Sequence, residues 1–214
     1  MTAPFDKDFW NQHWASAPQH APGAMATNPP NPHLLRETAE LVPGTALDAG
    51  CGAGAESIAL AAAGWDVTGV DISDLALHHA RERAENAGVA AHTAWLVADL
   101  VTWHPDTIFD LVMSHYAHPA MPQLDFYTRI AAWVKPGGTL LIVGHLHLHD
   151  DHDASHETHH HPDEVAVTAE AIVQRLPQPE WQIVTADEPS RQLQGRNGQT
   201  VTLHDVVVRA TRRA

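Results

Sequence analysis

The chain has 214 residues, 44% of them hydrophobic, enough for one α/β domain with a full core and too few for two ordinary enzymatic domains. Twelve Lys and Arg against 26 Asp and Glu, a formal charge of −14, argue against the positive track that nucleic acid needs and favour a small-molecule partner. No apolar run approaches a membrane span, the opening Met1-Thr-Ala-Pro-Phe-Asp-Lys-Asp lacks the regions of a secretory signal, and the single cysteine, Cys51, can form no internal disulfide, so a cytoplasmic monomer or homodimer with no membrane contact is expected.

Residues 1–33 read as an N-terminal arm: a short helix carrying Trp10 and Trp14, then an irregular stretch rich in Pro, Ala and Asn from Pro18 to Pro32. His33 to Leu41 predicts a helix stopped near Pro43-Gly44. An apolar approach then ends in Asp48, Gly50, Gly52 and Gly54 follow at alternate positions, and a helix runs from Glu56 to Ala63 with Gly64 closing it. This is a first strand, a tight glycine loop and a helix N-terminus, the arrangement that brings backbone close to a nucleotide-like ligand. Trp65 to Val70 is a second strand ending in Asp71, an acid placed to accept from a ribose diol, and Ser73 can cap the helix that runs to Gly88.

Further along, Thr93 to Val97 is a third strand ending at Asp99, and Phe109 to Ser114 a fourth. A helix over Leu124 to Val134 leads through a Lys135-Pro-Gly-Gly138 turn to a fifth strand, Thr139 to Val143. Thr168 to Leu176 predicts a helix, and Gln182 to Ala186 with Asp205 to Arg209 a closing strand pair. Strand and helix signals alternate as in a doubly wound sheet, with no internal repeat.

The glycine pattern alone admits two ligands. Gly50, Gly52 and Ala55 satisfy the dinucleotide fingerprint, but a pyrophosphate there would meet Asp48 and Glu56 where it wants bare N–H groups and positive potential. A nicotinamide enzyme would also want a Tyr-Lys or similar pair, and the only lysines are Lys7 and Lys135. A ligand carrying an ammonium and a sulfonium, S-adenosylmethionine, tolerates those carboxylates well.

LDAGCGAG at 47–54, GWDVTGVDIS at 64–73, ADL at 98–100 and WVKPGGTLLIVGH at 133–145 resemble, in order, the successive motifs of class I S-adenosylmethionine-dependent methyltransferases. The N-terminal Asp-Phe-Trp-Asn-Gln-His-Trp and Asn31-Pro32-His33-Leu34-Leu35 are similar to the small tellurite-resistance and thiopurine-type members. Asn28-Pro-Pro-Asn-Pro lacks the aromatic residue of the DNA amino-methyltransferase motif and precedes the glycine loop, so that reading is rejected. The resemblance implies one domain over residues 1–214 with a Rossmann-like fold, a mostly parallel seven-stranded sheet with helices on both faces. It also implies methyl transfer from S-adenosylmethionine to a small acceptor (a thiol, a metalloid oxyanion or a metabolite oxygen), leaving S-adenosylhomocysteine.

Strand ends in such sheets meet the ligand where strand order reverses, which places Asp48, Asp71, Asp99 and Ser114 on one rim. By resemblance, Asp48 lies near the methionine amino group, with Gly50, Cys51 and Gly52 forming the loop that approaches it. Asp71 holds the ribose hydroxyls with Ile72 beside the adenine, Asp99 accepts from the adenine amino group, and Leu100 flanks the ring. Ser114, His115 and His118 stand near the transferred methyl, where His115 or His118 could act as a general base. Cys51 is read as a small loop residue rather than a nucleophile, because attack on a sulfonium methyl needs no enzyme nucleophile. Arg191 and Arg196 flank the closing strands, where an arginine could meet an anionic substrate.

Eight of the eighteen histidines crowd into residues 145–161, among acids, at the start of a His-rich loop or lid over 145–164. Imidazoles with carboxylates can bind Zn²⁺ or Ni²⁺, but the spacing singles out no tetrahedral set, so no metal ligand is assigned. A solvated lid is the favoured reading, and protonation near pH 6 offers a pH-responsive one. The alternative for the whole chain is a non-catalytic metal-binding or sensor protein that uses this segment on a methyltransferase fold.

Overall fold

The computed structural model describes residues 5–16, 27–146, 167–194 and 200–214. The chain order is α1 (Lys7–Ser16), α2 (Pro32–Thr38), β1 (Thr45–Ala49), α3 (Ala55–Ala62), β2 (Asp66–Asp71), α4 (Asp74–Asn86), β3 (Thr93–Val97), β4 (Phe109–His115), α5 (Gln123–Ala131), β5 (Val134–His145), α6 (Ala169–Gln174), β6 (Trp181–Asp187), β7 (Ser190–Gln194) and β8 (Thr200–Arg212). The strands form one sheet in the order β3-β2-β1-β4-β5-β8-β6. β1 to β5 pair in parallel and β8 runs antiparallel between β5 and β6. Because β1 lies between β2 and β4, the winding direction reverses between β1 and β4, and their carboxyl ends open onto a crevice.

Side-chain alternation along the strands feeds two cores. Leu47, Val112, Leu140, Ile142 and Val208 face α5 and α6 through Phe126, Ile130 and Ile172. Ala46, Leu111, Met113, Leu141 and Val143 face the other way, toward Leu34 of α2, Leu60 of α3 and Ala84 of α4. Both faces of the sheet are therefore covered, as near-continuous apolar strands require. The N-terminus of α2 is set by Asn31, whose Oδ1 accepts from His33 N at 2.8 Å with Pro32 opening the helix. Ser73 caps α4 by accepting from Ala76 N at 3.2 Å.

Three expectations shift. The α5 helix stops at Ala131 rather than Val134, because Trp133 and Val134 join the sheet: Phe109 N donates to the Trp133 carbonyl at 2.9 Å and Phe109 pairs with Val134. The Lys135-Pro-Gly-Gly138 segment is consequently an irregularity inside a twelve-residue β5, with the register shifted between Phe109 and Leu111, and not a turn between helix and strand. The seven-stranded path carries an eighth strand: β7 pairs with Thr200–His204 of β8 as a hairpin, while the rest of β8 lies in the main sheet.

Candidate functional site

A cavity of about 570 Å³ opens at the carboxyl ends of β1, β2, β3 and β4. Its walls include Asp48, Gly50, Cys51, Gly52, Asp71, Ile72, Asp99, Leu100, His115 and His118, all singled out in the sequence. Ser114 is the exception. Alternation along β4 turns it to the face opposite His115; it is 1% exposed, absent from the cavity wall, and its Oγ has no hydrogen-bond partner among the described residues.

The glycine loop is closed on itself. Gly50 N and Cys51 N both donate to the Val70 carbonyl at 2.8 and 3.1 Å, Gly52 N donates to Asp71 Oδ2 at 2.8 Å, and Gly54 N donates to the Cys51 carbonyl at 2.8 Å. Those four N–H groups are unavailable to a phosphate, which removes the usual reason for such a loop to bind one. Gly50 has φ +83°, and a Cβ there would lie 2.3 Å from the Ala117 Cβ. Only glycine lets the loop and the segment after β4 approach this closely. Gly52, at φ +51°, has the same relation to the Trp14 ring of α1, 3.1 Å from where a Cβ would fall.

Carboxylates dominate this end. Asp48 is 1% exposed and accepts from Ser57 Oγ at 2.7 Å. Burial, with the nearby Glu56 adding to it, pushes the Asp48 carboxyl up to about 8. Asp71 is also raised by burial, although Ser73 N and Gly52 N donate to its two oxygens. Each Asp71 oxygen still has a lone pair for a further donor. Burial and the charges of Asp48 and Asp71 hold the Cys51 thiol far above its ordinary value, the opposite of what a thiolate nucleophile requires. The one arginine on this side, Arg83, is tied to backbone carbonyls: Nη1 donates to Ala53 at 3.1 Å and Nη2 to Asn28 at 2.9 Å. Asp99 caps its own turn, accepting from Val101 N at 2.8 Å.

The opposite wall is different. His115 is 9% exposed, and neither ring nitrogen has a partner among the described residues; burial lowers its pKa. Tyr116 follows at φ +53°, a left-handed conformation worth about 1–2 kcal/mol of strain for a non-glycine residue. Its hydroxyl donates to Asp205 Oδ1 at 2.8 Å and accepts from Asn31 Nδ2 at 3.0 Å and Arg191 Nη2 at 3.1 Å. Asp205 is fully buried in β8, and its other oxygen meets Arg191 Nε and His33 Nε2. The site roles of Asp205, Asn31 and Arg83 are not evident from the sequence. The only signal for the first was an acid beside the apolar run Val206-Val207-Val208, and long-range contacts hid the rest.

Arg196 and residues 147–166 lie outside the described residues, and with them most of the His-rich segment. Among the described residues no group of three or more His, Cys, Asp or Glu could hold a metal ion, and no helix is long and apolar enough to cross a membrane.

Residues 46–138 match the Methyltransferase domain family. The chain is similar to probable thiol methyltransferase 2 of Arabidopsis thaliana, 29% identical over 138 residues, covering 63% of this chain and 60% of that protein. It is similar as well to thiocyanate methyltransferase 1 of Brassica oleracea, 31% identical over 129 residues, covering 56% and 54%. In fold it is similar to TehB from Haemophilus influenzae, with a TM-score of 0.64 and 16% identity over 97% of this chain and 67% of that one. Residues 46–138 thus carry the motifs and the family match of a methyltransferase domain, and the chain shares the fold of a solved methyltransferase-like structure. It spans about half the length of the curated relatives it matches, from 47% to 60%.

Proposed function

We propose that the protein binds S-adenosylmethionine in the switch-point cavity and transfers its methyl group to a small-molecule acceptor, acting as one domain under the N-terminal arm. The observation that carries this reading is the ring of Asp48, Glu56 and Asp71 around a glycine loop whose N–H groups are already engaged. Such a site favours a cation and disfavours a pyrophosphate. Asp48 takes the amino-acid ammonium, the spare lone pairs of Asp71 accept from the ribose diol, Ile72 and Leu100 pack the adenine, and Asp99 accepts from its amino group. The cofactor supplies an electrophilic methyl when bound; the protein supplies position and the exclusion of water.

His115 and His118 line the acceptor end, and the imidazole of His115, whose ring nitrogens have no partner among the described residues, could take a proton from a thiol or hydroxyl. The guanidinium of Arg191 on the same wall favours an acceptor carrying negative charge, and the relatives' names, thiol, thiocyanate and ubiquinone-biosynthesis O-methyltransferases, support a sulfur or an oxygen nucleophile alike. No described residue supports a metal-centred function.

Calorimetric titration with S-adenosylhomocysteine tests the cofactor assignment. Micromolar binding by the wild type, weakened about 5- to 100-fold in Asp71→Asn, is expected from loss of a charged hydrogen-bond acceptor. A folded wild type that does not bind overturns it.

A further inference from the structure

We infer that Tyr116 is a positioning residue for the acceptor end of the cavity: its hydroxyl, tied to Asp205, Arg191 and Asn31, locks the left-handed turn that aims His115 into the site. The inference rests on the acceptor end lying at this wall, as proposed above. Among the described residues, Tyr116 is the only non-glycine residue with positive φ. Strain of this kind persists only where surrounding contacts over-determine it, and here they do. The Tyr116 N–H donates to the Val143 carbonyl at 2.9 Å, its ring lies 4.3 Å from that of His145, and its hydroxyl has three partners.

A phenol has one hydrogen and two lone pairs. All are engaged, so Tyr116 lines the cavity yet has nothing left to offer a ligand. Its anchor, Asp205, is likewise filled by Arg191 and His33. The knot draws together the α2 cap, the exit of β4, β7 and β8. What the turn delivers on either side is functional: His115, with both ring nitrogens unpartnered, immediately before it, and Ala117, set against Gly50, immediately after. The titratable neighbours of His115 are Glu56 on α3 and His33 on α2.

The test is the pH titration of His115 by NMR on protein labelled at histidine, with the resonance assigned from His115→Asn, in wild type and Tyr116→Phe. Tyr116→Phe keeps the ring and removes the lock. The titration midpoint of His115, lowered by burial, should rise toward the ordinary histidine value as the turn loosens and water reaches the ring. S-adenosylhomocysteine affinity should stay within about threefold. Arg191→Lys and Asn31→Ala cut the same knot elsewhere and should move the midpoint the same way; they carry the test if Tyr116→Phe does not fold. An unchanged His115 midpoint in the folded variants overturns the inference. Failure of the wild type to bind S-adenosylhomocysteine would instead remove the cofactor reading and leave the lock to be judged by the titration alone.

Discussion

Replacing Asp48 with asparagine should remove a pH dependence that the cofactor-free protein otherwise carries. The folded carboxyl titrates near 8 because it is buried beside Glu56 and Asp71, whereas in the unfolded chain it titrates near the ordinary aspartate value of about 3.9. Between those limits only the folded state holds the proton. The stability contributed by this group is therefore fully present below about pH 4 and lost as pH rises toward about 8, at about 1.4 kcal/mol per pH unit. For a chain of this size that is about 3–5 °C in Tm per unit. Asp48→Asn keeps an acceptor for Ser57 and cannot ionise. The expected result is that wild type minus Asp48→Asn falls steadily in thermal-denaturation curves at pH 5, 6, 7 and 8. Parallel curves would show that Asp48 is already ionised in the empty cavity, and the burial argument would fail.

The same linkage should appear in binding. If Asp48 receives an ammonium, S-adenosylhomocysteine must drive the proton off. Calorimetry in buffers of different ionisation enthalpy should then find about 0.9 protons released from this group at pH 7 and about 0.5 at pH 8, given a midpoint near 8. Affinity should climb with pH up to about 8 and level beyond it. Proton release that persists in Asp48→Asn would assign it to another group.

Two further outcomes follow from the geometry. Gly50→Ala forces a side chain to 2.3 Å from Ala117 at φ +83°, so it should lower stability by about 1–3 kcal/mol and weaken S-adenosylhomocysteine binding at least tenfold, measured by denaturant titration and calorimetry. Asp110, at the amino-terminal start of the central strand β4 and so at the end of the sheet away from the cavity, loses something to burial, but hydrogen bonds from Thr45 and Lys135 hold it down to about 2. Its stabilisation is present above about pH 4 and lost as pH falls through 2. With 41% of that side chain exposed, solvent screening limits Lys135→Met to below about 1 kcal/mol, and a larger loss of denaturation free energy would refute the screening argument.

Local chemistry made much of the fold legible. The third strand falls on the expected Thr93–Val97 and Ser73 caps α4, because strand alternation and cap side chains act within a few residues. Lys135 to Gly138 reads as a turn on the same local grounds, yet pairing of Phe109 with Val134 across the sheet makes it an irregularity within β5. β7 is a polar pentapeptide, Ser-Arg-Gln-Leu-Gln, with no alternation to advertise it; only its partner β8 makes it a strand. The same division runs through the site. Asp48, Asp71 and Asp99 announce themselves at strand ends, and all three line the cavity. Ser114 shares that position but faces the other way by one step of alternation, which a strand end located to within a residue cannot decide. Asp205, in the interior of a strand, owes its place to Arg191 and Tyr116, 14 and 89 residues away.

The two ends of the cavity draw on the chain differently. Asp48, Glu56, Asp71 and Asp99 lie within residues 46–138, the stretch that matches the methyltransferase family, and they define the carboxylate-rich end. His115, Tyr116 and His118 of the wall opposite also lie within that stretch, but Arg191 falls after it and Asn31 before it, and Asp205 and His33 brace that wall from behind. The stretch that matches the family therefore carries the whole carboxylate-rich end and only part of the wall opposite it. Charge follows the same partition, acids at the glycine loop, imidazoles and a guanidinium across from it, and the sheet's reversal between β1 and β4 is what sets them face to face. A cationic donor seated on the acids would meet its acceptor across that boundary, so acceptor choice should follow substitutions at Arg191 and Tyr116 and be indifferent to those at Asp71 and Asp99, which should act on cofactor affinity alone.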